Sequence, residues 1–453
     1  MESTKLKEQV EIIRQAFGYI NRFKNETFVI KIDGTLIGHP FFPVLMKDIV
    51  LLHLMGIRIV LVPGAKSRID EILTNYGISC NTVNGVRISP PEAIPFIKMA
   101  AFDVSNKIMT ILAENNTNAI IGNWVKARSI GIRDGVDYQS SGIVEKLQTP
   151  TITNMLGQGM IPIFPNIGWS AKGKPYNISS NELALTISRE LKAAKLFFIT
   201  PFGAISSDSY TVAEGVYVSS EGYISQMTID EAGAFLDHNA SENYDPVLDL
   251  VSIAYKACMG GVRRVHVLDG RIEGMLLKEI FSNRGFGTMI YSNQLENIRP
   301  VKHNDIPELL RVMTPSVEEG ILVQRSASQI EDKLEDYVAY EVDGTIHGCG
   351  ALHAFPGKKG EIAAIAVDSA YVSLGIGKKI ITYLIERATQ MKMTMVFVLT
   401  TQTADWFSQH GFQTGSIDDL PPARQKTYSK DRNSRILTYK ISQKRTKDTL
   451  AVE

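Results

Sequence analysis

Cysteine is scarce in this chain of 453 residues: Cys80, Cys258 and Cys349 lie far apart in apolar stretches and form no C-x-x-C pair. That excludes a disulfide framework and a thiolate zinc site, and it points to a reducing compartment, the cytoplasm. Net charge is absent too, because 48 basic residues balance 48 acidic ones. Bulk attraction to nucleic acid is excluded with it, and no nucleic-acid partner is expected. No run of about eighteen apolar residues occurs, and the first residues, "MESTKLKEQVEIIRQAFGYINRF", lack an apolar core and a small-residue cleavage site. Neither a membrane span nor a leader is expected. What remains is an ordinary globular composition, 44% hydrophobic and 21% charged, with enough apolar material for two or three domains.

Residues 4–23 set Val10, Ile12, Ile13, Ala16, Phe17 and Ile20 at three- and four-residue spacing, which predicts an amphipathic helix. Packing on its own domain and an oligomer contact both stay open for its apolar face. Downstream, "TFVIKID", "IRIVLVPGA", "TNAIIGNW", "MIPIFPNIG", "KLFFIT" and "RRVHVLD" read as strands separated by helical segments. Short β-branched runs alternating with helices argue a mainly parallel sheet covered on both faces, an α/β domain over residues 1–290. A polar linker over 291–297 leads into a second, mixed α+β domain at 298–443, where "YVAYEVDGTIHGCGALHAF" turns at Asp343-Gly344. Residues 444–453 form a polar tail.

The second domain carries "VDSAYVSLGIGKKI", in which a strand end and a short turn run through G-x-G into a helix. Amides at a helix start have no intrahelical acceptor and carry partial positive charge, so glycines there admit a pyrophosphate. The order "EIAAIAVD", "YVSLGIGKKI", "MVFVLTT", "WFSQHGF" resembles the GNAT-type acetyltransferases. The resemblance implies that acetyl-CoA is a co-substrate and that no metal takes part. It implies that the strand residues Ile365, Ala366 and Val367 pair with the pantetheine arm. The turn Val372, Leu374, Gly375, Ile376, Gly377 and Lys378 would take the pyrophosphate, with Val372 standing where the family has Arg or Gln.

An amine must shed a proton before it attacks a thioester, so a base is needed beside the reacting carbon. Glu361, on the expected pantetheine strand, is the candidate, against the plainer reading of a solvated strand-end residue. The amides of Ile365 or Ala366 are candidates to polarise the carbonyl. Arg325, in "GILVQRS", and Arg432 with Ser434, in R-x-S before the last strand, suit carboxylate recognition. Together with "WFSQHGFQT" these motifs are similar to those of the bacterial N-acetylglutamate synthases. That resemblance implies acetyl transfer from acetyl-CoA to the α-amino group of L-glutamate in arginine biosynthesis, with Arg325, Arg432 and Ser434 holding glutamate. Another acceptor amino acid and a bifunctional synthase–kinase stay open as alternatives. Thr401, Thr403 and Tyr428 are equal candidates to protonate the leaving thiolate.

The first domain resembles the amino-acid kinases through "VIKIDGTLI", "VLVPGAKSRIDEIL", "VNGVRISPPEA" and "YNISSNELA". Working kinases open with K-x-G-G and carry a glycine triplet after the second strand. Here Lys31 is followed by Asp33, only Gly64 remains between Pro63, Ala65 and Lys66, and Asn181 replaces an aspartate. Phosphoryl transfer depends on positioning and charge, so these losses imply a domain without kinase chemistry. His266 and Glu279, with Gly285 and Gly287, resemble the arginine site of arginine-inhibited relatives, to which Lys256 is added. The resemblance implies L-arginine as an effector and a homo-oligomer, a hexamer, joined through the N-terminal helix.

Overall fold

A computed structural model describes residues 17, 20 and 23–441, apart from 214–215, 217, 220, 242, 282–285, 293–295, 343–344, 369–374 and 430–431. Most of the helix expected over residues 4–23, the Asp343-Gly344 turn, the tail, and Val372, Leu374 and Gly285 lie outside the described residues. The chain divides into two compact units, Met1–Asn293 and Gln294–Glu453.

The first unit is built on an eight-stranded sheet in the order Gln226–Thr228, Thr288–Tyr291, Arg264–Asp269, Lys195–Thr200, Thr27–Ile32, Arg58–Pro63, Ile161–Ile163, Ala119–Ile121. Only the Arg264–Asp269 and Thr288–Tyr291 strands run antiparallel to each other; the other pairings are parallel. The apolar runs "TFVIKI" and "KLFFIT" are buried along their whole length, as strands covered on both faces must be. Val29, Val60, Leu196 and Val265 pack into one layer, while Phe28, Ile30, Leu61 and Phe197 pack into the other. Lys31 therefore points to the first face, and His266, stacked on Phe197 at 4.9 Å, points to the second. A small closed barrel of four short strands, Val125–Ser129, Ser141–Leu147, Ile167–Trp169 and Pro175–Ile178, sits beside the sheet in the chain's order of elements.

The second unit has one seven-stranded sheet, in the order Glu296–Pro300, Tyr337–Val342, Thr345–Phe355, Lys359–Val367, Met395–Thr400, Arg435–Lys440, Gln413–Thr414. All its pairings are antiparallel except Lys359–Val367 with Met395–Thr400. The helix Ile376–Gln390 covers one face through Ile376, Ile380, Ile381 and Leu384. The helix Ile306–Glu318 covers the other through Ile306, Leu309, Val312 and Met313, against Tyr337, Cys349, Ala351 and Ala364.

The Lys359–Val367 strand is bulged. Its register steps from Ala351↔Ala363 to Cys349↔Ala366, so Ala364 and Ile365 together oppose Gly350. Ala364 takes φ +54° there, in the left-handed region, and is buried. A β-branched side chain strongly resists that backbone. Ala364→Val is therefore expected to lower the thermal midpoint by several degrees, at roughly 2–4 °C per kcal/mol and strain of about 1–3 kcal/mol. Ala364→Gly should stay much closer to wild type. Equal midpoints for Ala364→Val and wild type would show that the bulge carries no strain.

Candidate active site

The ladder between the only parallel neighbours of the second sheet is short. It runs from Lys359↔Met395 to Glu361↔Phe397 and stops. Met395–Thr400 goes on pairing with Arg435–Lys440, while Ile362–Val367 keeps its partner only on the Thr345–Phe355 side. The strands splay, and one row of backbone N–H and C=O groups from residue 362 onward faces the gap. Glu361 stands at the apex. At the far end of the same strand, Gly375 caps the fifteen-residue helix Ile376–Gln390 at φ +69°, with no side-chain cap. The first helical bond there is Lys379 N–H to the Gly375 carbonyl, which leaves the amides of Ile376, Gly377 and Lys378 without an intrahelical acceptor. An extended row of backbone donors and acceptors leading into an uncapped helix start fits a thioester arm followed by a pyrophosphate.

Glu361 is 8% exposed and is gripped by a residue that sequence reasoning missed. Arg424 donates from Nε to Oε2 at 2.8 Å and from Nη2 to Oε1 at 3.1 Å, a fork that fixes the carboxylate plane. Nothing in "LPPARQKTY" separates Arg424 from a surface charge; only a pairing across 63 positions exposes it. Phe397, Leu420 and Ile436 form the apolar floor beside it, with Phe355 and Tyr428 packed against them.

Two of the three expected carboxylate binders, Arg325 and Arg432, now donate to backbone carbonyls of residues 320–323. Arg432 donates to the carbonyls of Gly320 and Ile321, the latter at 2.9 Å, while Arg325 donates to Val323 of the same segment at 3.1 Å. Gln402 reaches the neighbouring Glu319 carbonyl at 3.1 Å. Of the three thiolate-donor candidates, Tyr428 donates to the Ser434 carbonyl at 2.7 Å and Thr403 bonds Thr400 at 2.7 Å. The Thr401 hydroxyl is buried with no hydrogen-bond partner among the described residues.

Comparison with known proteins accords with this geometry. Residues 26–269 match the Amino acid kinase family and residues 304–412 the Acetyltransferase (GNAT) family. The amino-acid acetyltransferase of Actinobacillus pleuropneumoniae serotype 7 is 33% identical over 443 residues, 96% of this chain and 99% of that protein. That of Salmonella typhimurium is 34% identical over 444 residues, 95% of this chain and 97% of that protein. The chain belongs to the amino-acid acetyltransferases. Its fold is also similar to the crystal structure of N-acetylglutamate synthase from Neisseria gonorrhoeae complexed with coenzyme A and L-arginine. That similarity has a TM-score of 0.81 and 32% identity, and covers 95% of this chain and 99% of that one.

In this acetyltransferase the loops that end the first two strands of the kinase-like unit meet closely. A Cβ on Gly34 would lie 2.7 Å from the Gly64 carbonyl oxygen, so the first two strand-end loops touch backbone to backbone. Lys31, 5% exposed, is tied to Asp33 at 3.2 Å. Burial pushes the nearby Asp249 carboxyl up, against the pull of Asn181, Lys256, Tyr244 and Lys31. Lys256 thus belongs with Asp249; among the described residues, neither His266 nor Glu279 takes a hydrogen bond from it.

His266, Glu279 and Gly287 do come together. His266 Nδ1 lies 2.8 Å from Glu279 Oε1, and Oε2 accepts from the amides of Phe286 at 2.8 Å and Gly287 at 3.3 Å. Burial, then the charge of Lys195, pushes His266 down from 6.5 to about 4, although Glu279 pulls the other way. Burial raises the Glu279 carboxyl, but His266, the Phe286 amide and Lys195 outweigh it and hold it low. The pair is a neutral imidazole donating to a carboxylate. Lys195 and Phe197 were not marked by the sequence as parts of this cluster, since both read there as strand residues.

The sign of the pH effect follows. The folded state binds fewer protons than the unfolded chain between the two histidine values, so stability due to His266 is complete above about 6.5 and is lost as the pH falls towards about 4. Urea midpoints measured across that window should fall with pH by up to about 1.4 kcal/mol per unit for this one group. His266→Gln should flatten the slope; an unchanged slope would mean that His266 is not held neutral.

Proposed function

We propose that the chain is an N-acetylglutamate synthase, transferring acetyl from acetyl-CoA to the α-amino group of L-glutamate as a step of arginine biosynthesis. The observation that carries the reading is the splay that begins at Glu361, with an uncapped helix start at its far end. Bound acetyl-CoA supplies the acetyl group as an activated thioester. The open backbone row through Ile365, Ala366 and Val367 holds the arm, and the turn from Val372 and Leu374 through Gly375, Ile376, Gly377 and Lys378 holds the phosphates. Glu361 takes a proton from the acceptor's ammonium, and its Arg424 clamp sets the direction of its lone pairs. The amides of Ile365 or Ala366 stabilise the oxyanion. Arg325, Arg432 and Ser434 bind the glutamate carboxylates: a carboxylate is a better partner for Arg432 than the neutral carbonyls it now touches, by roughly 1.5–3 kcal/mol for a charge-assisted bond.

A thiol-release assay with acetyl-CoA against a panel of amino acids tests the reading, and glutamate should stand far above the rest. Glu361→Gln should cut kcat by about 10² or more while acetyl-CoA binding is kept, the scale of one general base. Turnover with an amine other than glutamate, or a Glu361→Gln enzyme near wild-type kcat, would refute the acceptor or the base respectively.

The first unit lacks kinase chemistry and serves on this reading as the arginine sensor, in a cytoplasmic homo-oligomer. The Neisseria gonorrhoeae synthase structure holds L-arginine, and here His266, Glu279, Gly285 and Gly287 offer one carboxylate and a glycine loop to a guanidinium and an α-carboxylate. Glu279 now spends its oxygens on His266 and on the loop amides, so arginine must displace those bonds and thereby shift the unit between two arrangements. A coupling of about 1–3 kcal/mol would change synthase activity several-fold to a hundredfold. Parallel arginine titrations should show a response in wild type that Glu279→Ala loses. Equal sensitivity of the two proteins would place the effector elsewhere.

A further inference from the structure

Directly across the antiparallel ladder from Glu361 stands His353. Side chains so paired have Cβ atoms about 4.5–5.5 Å apart, which makes the carboxyl and the imidazole neighbours on one face of the sheet. The other side of the ring is engaged: His353 Nδ1 lies 2.6 Å from Asp336 Oδ2. A carboxylate at Nδ1 fixes the Nδ1–H tautomer, which leaves Nε2 as the acceptor. Side-chain exposure rises along the series, from 10% for Glu361 to 14% for His353 and 30% for Asp336. Tyr337 packs edge-on against the imidazole, Arg325 lies beside the Tyr337 phenol, and Arg424 is bonded to Glu361.

We propose that His353 is a positioning residue acting through Glu361, and that with Asp336 it forms the path by which the substrate's proton leaves the buried base. The inference rests on the acetyl-transfer reading. An ammonium carries three protons and the product amide keeps one; one ends on the thiol sulfur and one must reach solvent. In the proposed step an N–H bond of the acceptor breaks and an O–H bond forms on Glu361. That proton then passes to His353 Nε2 as the Nδ1 proton moves to Asp336, which releases it to water. No electrons change hands. The route is needed because the clamped, nearly buried carboxyl has its own oxygens occupied by Arg424.

The test uses full-length protein, saturating acetyl-CoA and glutamate, and thiol release from pH 6 to 9. His353→Ala should lose about tenfold or more in kcat, at the lower end of what proton transfer contributes, with the glutamate KM within about twofold. Its pH profile should change shape, added imidazole should restore part of its kcat but not that of wild type, and Asp336→Asn should shift the profile in the same direction. His353→Gln, which fills the site without a titrating ring, should show the same loss if the alanine variant folds poorly. Wild-type kcat and pH profile in both His353 variants, or a loss that imidazole leaves untouched, would overturn the relay. Absence of glutamate-dependent thiol release in wild type would instead sink the acetyl-transfer reading.

Discussion

A β-strand offers hydrogen bonds to both sides, and the second unit depends on one strand giving up one of its sides. Lys359–Val367 keeps its antiparallel partner throughout but parts from its parallel neighbour after Glu361. Unpaired backbone groups are costly inside a protein, so such a gap persists only where water or a ligand completes it. The bulge at Ala364 belongs to the same device, because an extra residue on one strand turns its far end away from the sheet plane. Helix Ile376–Gln390 then starts where the bent strand leaves off, and its uncapped amides continue the row of free donors.

In each unit the charges of the candidate sites already have partners. Glu361 is locked to Arg424, Arg432 rests on two carbonyls, and Glu279 in the other unit is shared between His266 and two amides. A buried charge without a partner is costly, so each resting contact keeps the unliganded fold affordable. On the proposed reading each is also a contact that a substrate or effector of the right charge replaces.

The first unit keeps the amino-acid kinase fold. Its sheet is stabilised by two apolar layers, to one of which the loop after the first strand adds Leu36. At the strand ends the backbones of Gly34 and Gly64 approach so closely that Gly34 has no room for a side chain. His266 lies on the opposite face of the sheet from Lys31.

Periodicity and turn chemistry are local, so the sequence alone determined the two-part α/β architecture, the G-x-G helix start and the candidate base on its strand. Glu361, Gly375 and Arg432 could be singled out as candidates because each lies in a motif whose spacing has a physical meaning. Lys256, set with the arginine cluster by resemblance, shares a helix with Asp249 and acts on that carboxyl. Arg424, His353, Asp336 and Lys195 carry no local mark, since an arginine in a short helix or a histidine in a strand fits many environments. Their contacts come from strand register and from pairings across many positions, such as the 63 between Glu361 and Arg424. Only the folded chain decides those, because pairing register is set by the summed packing of whole strands and not by any one residue.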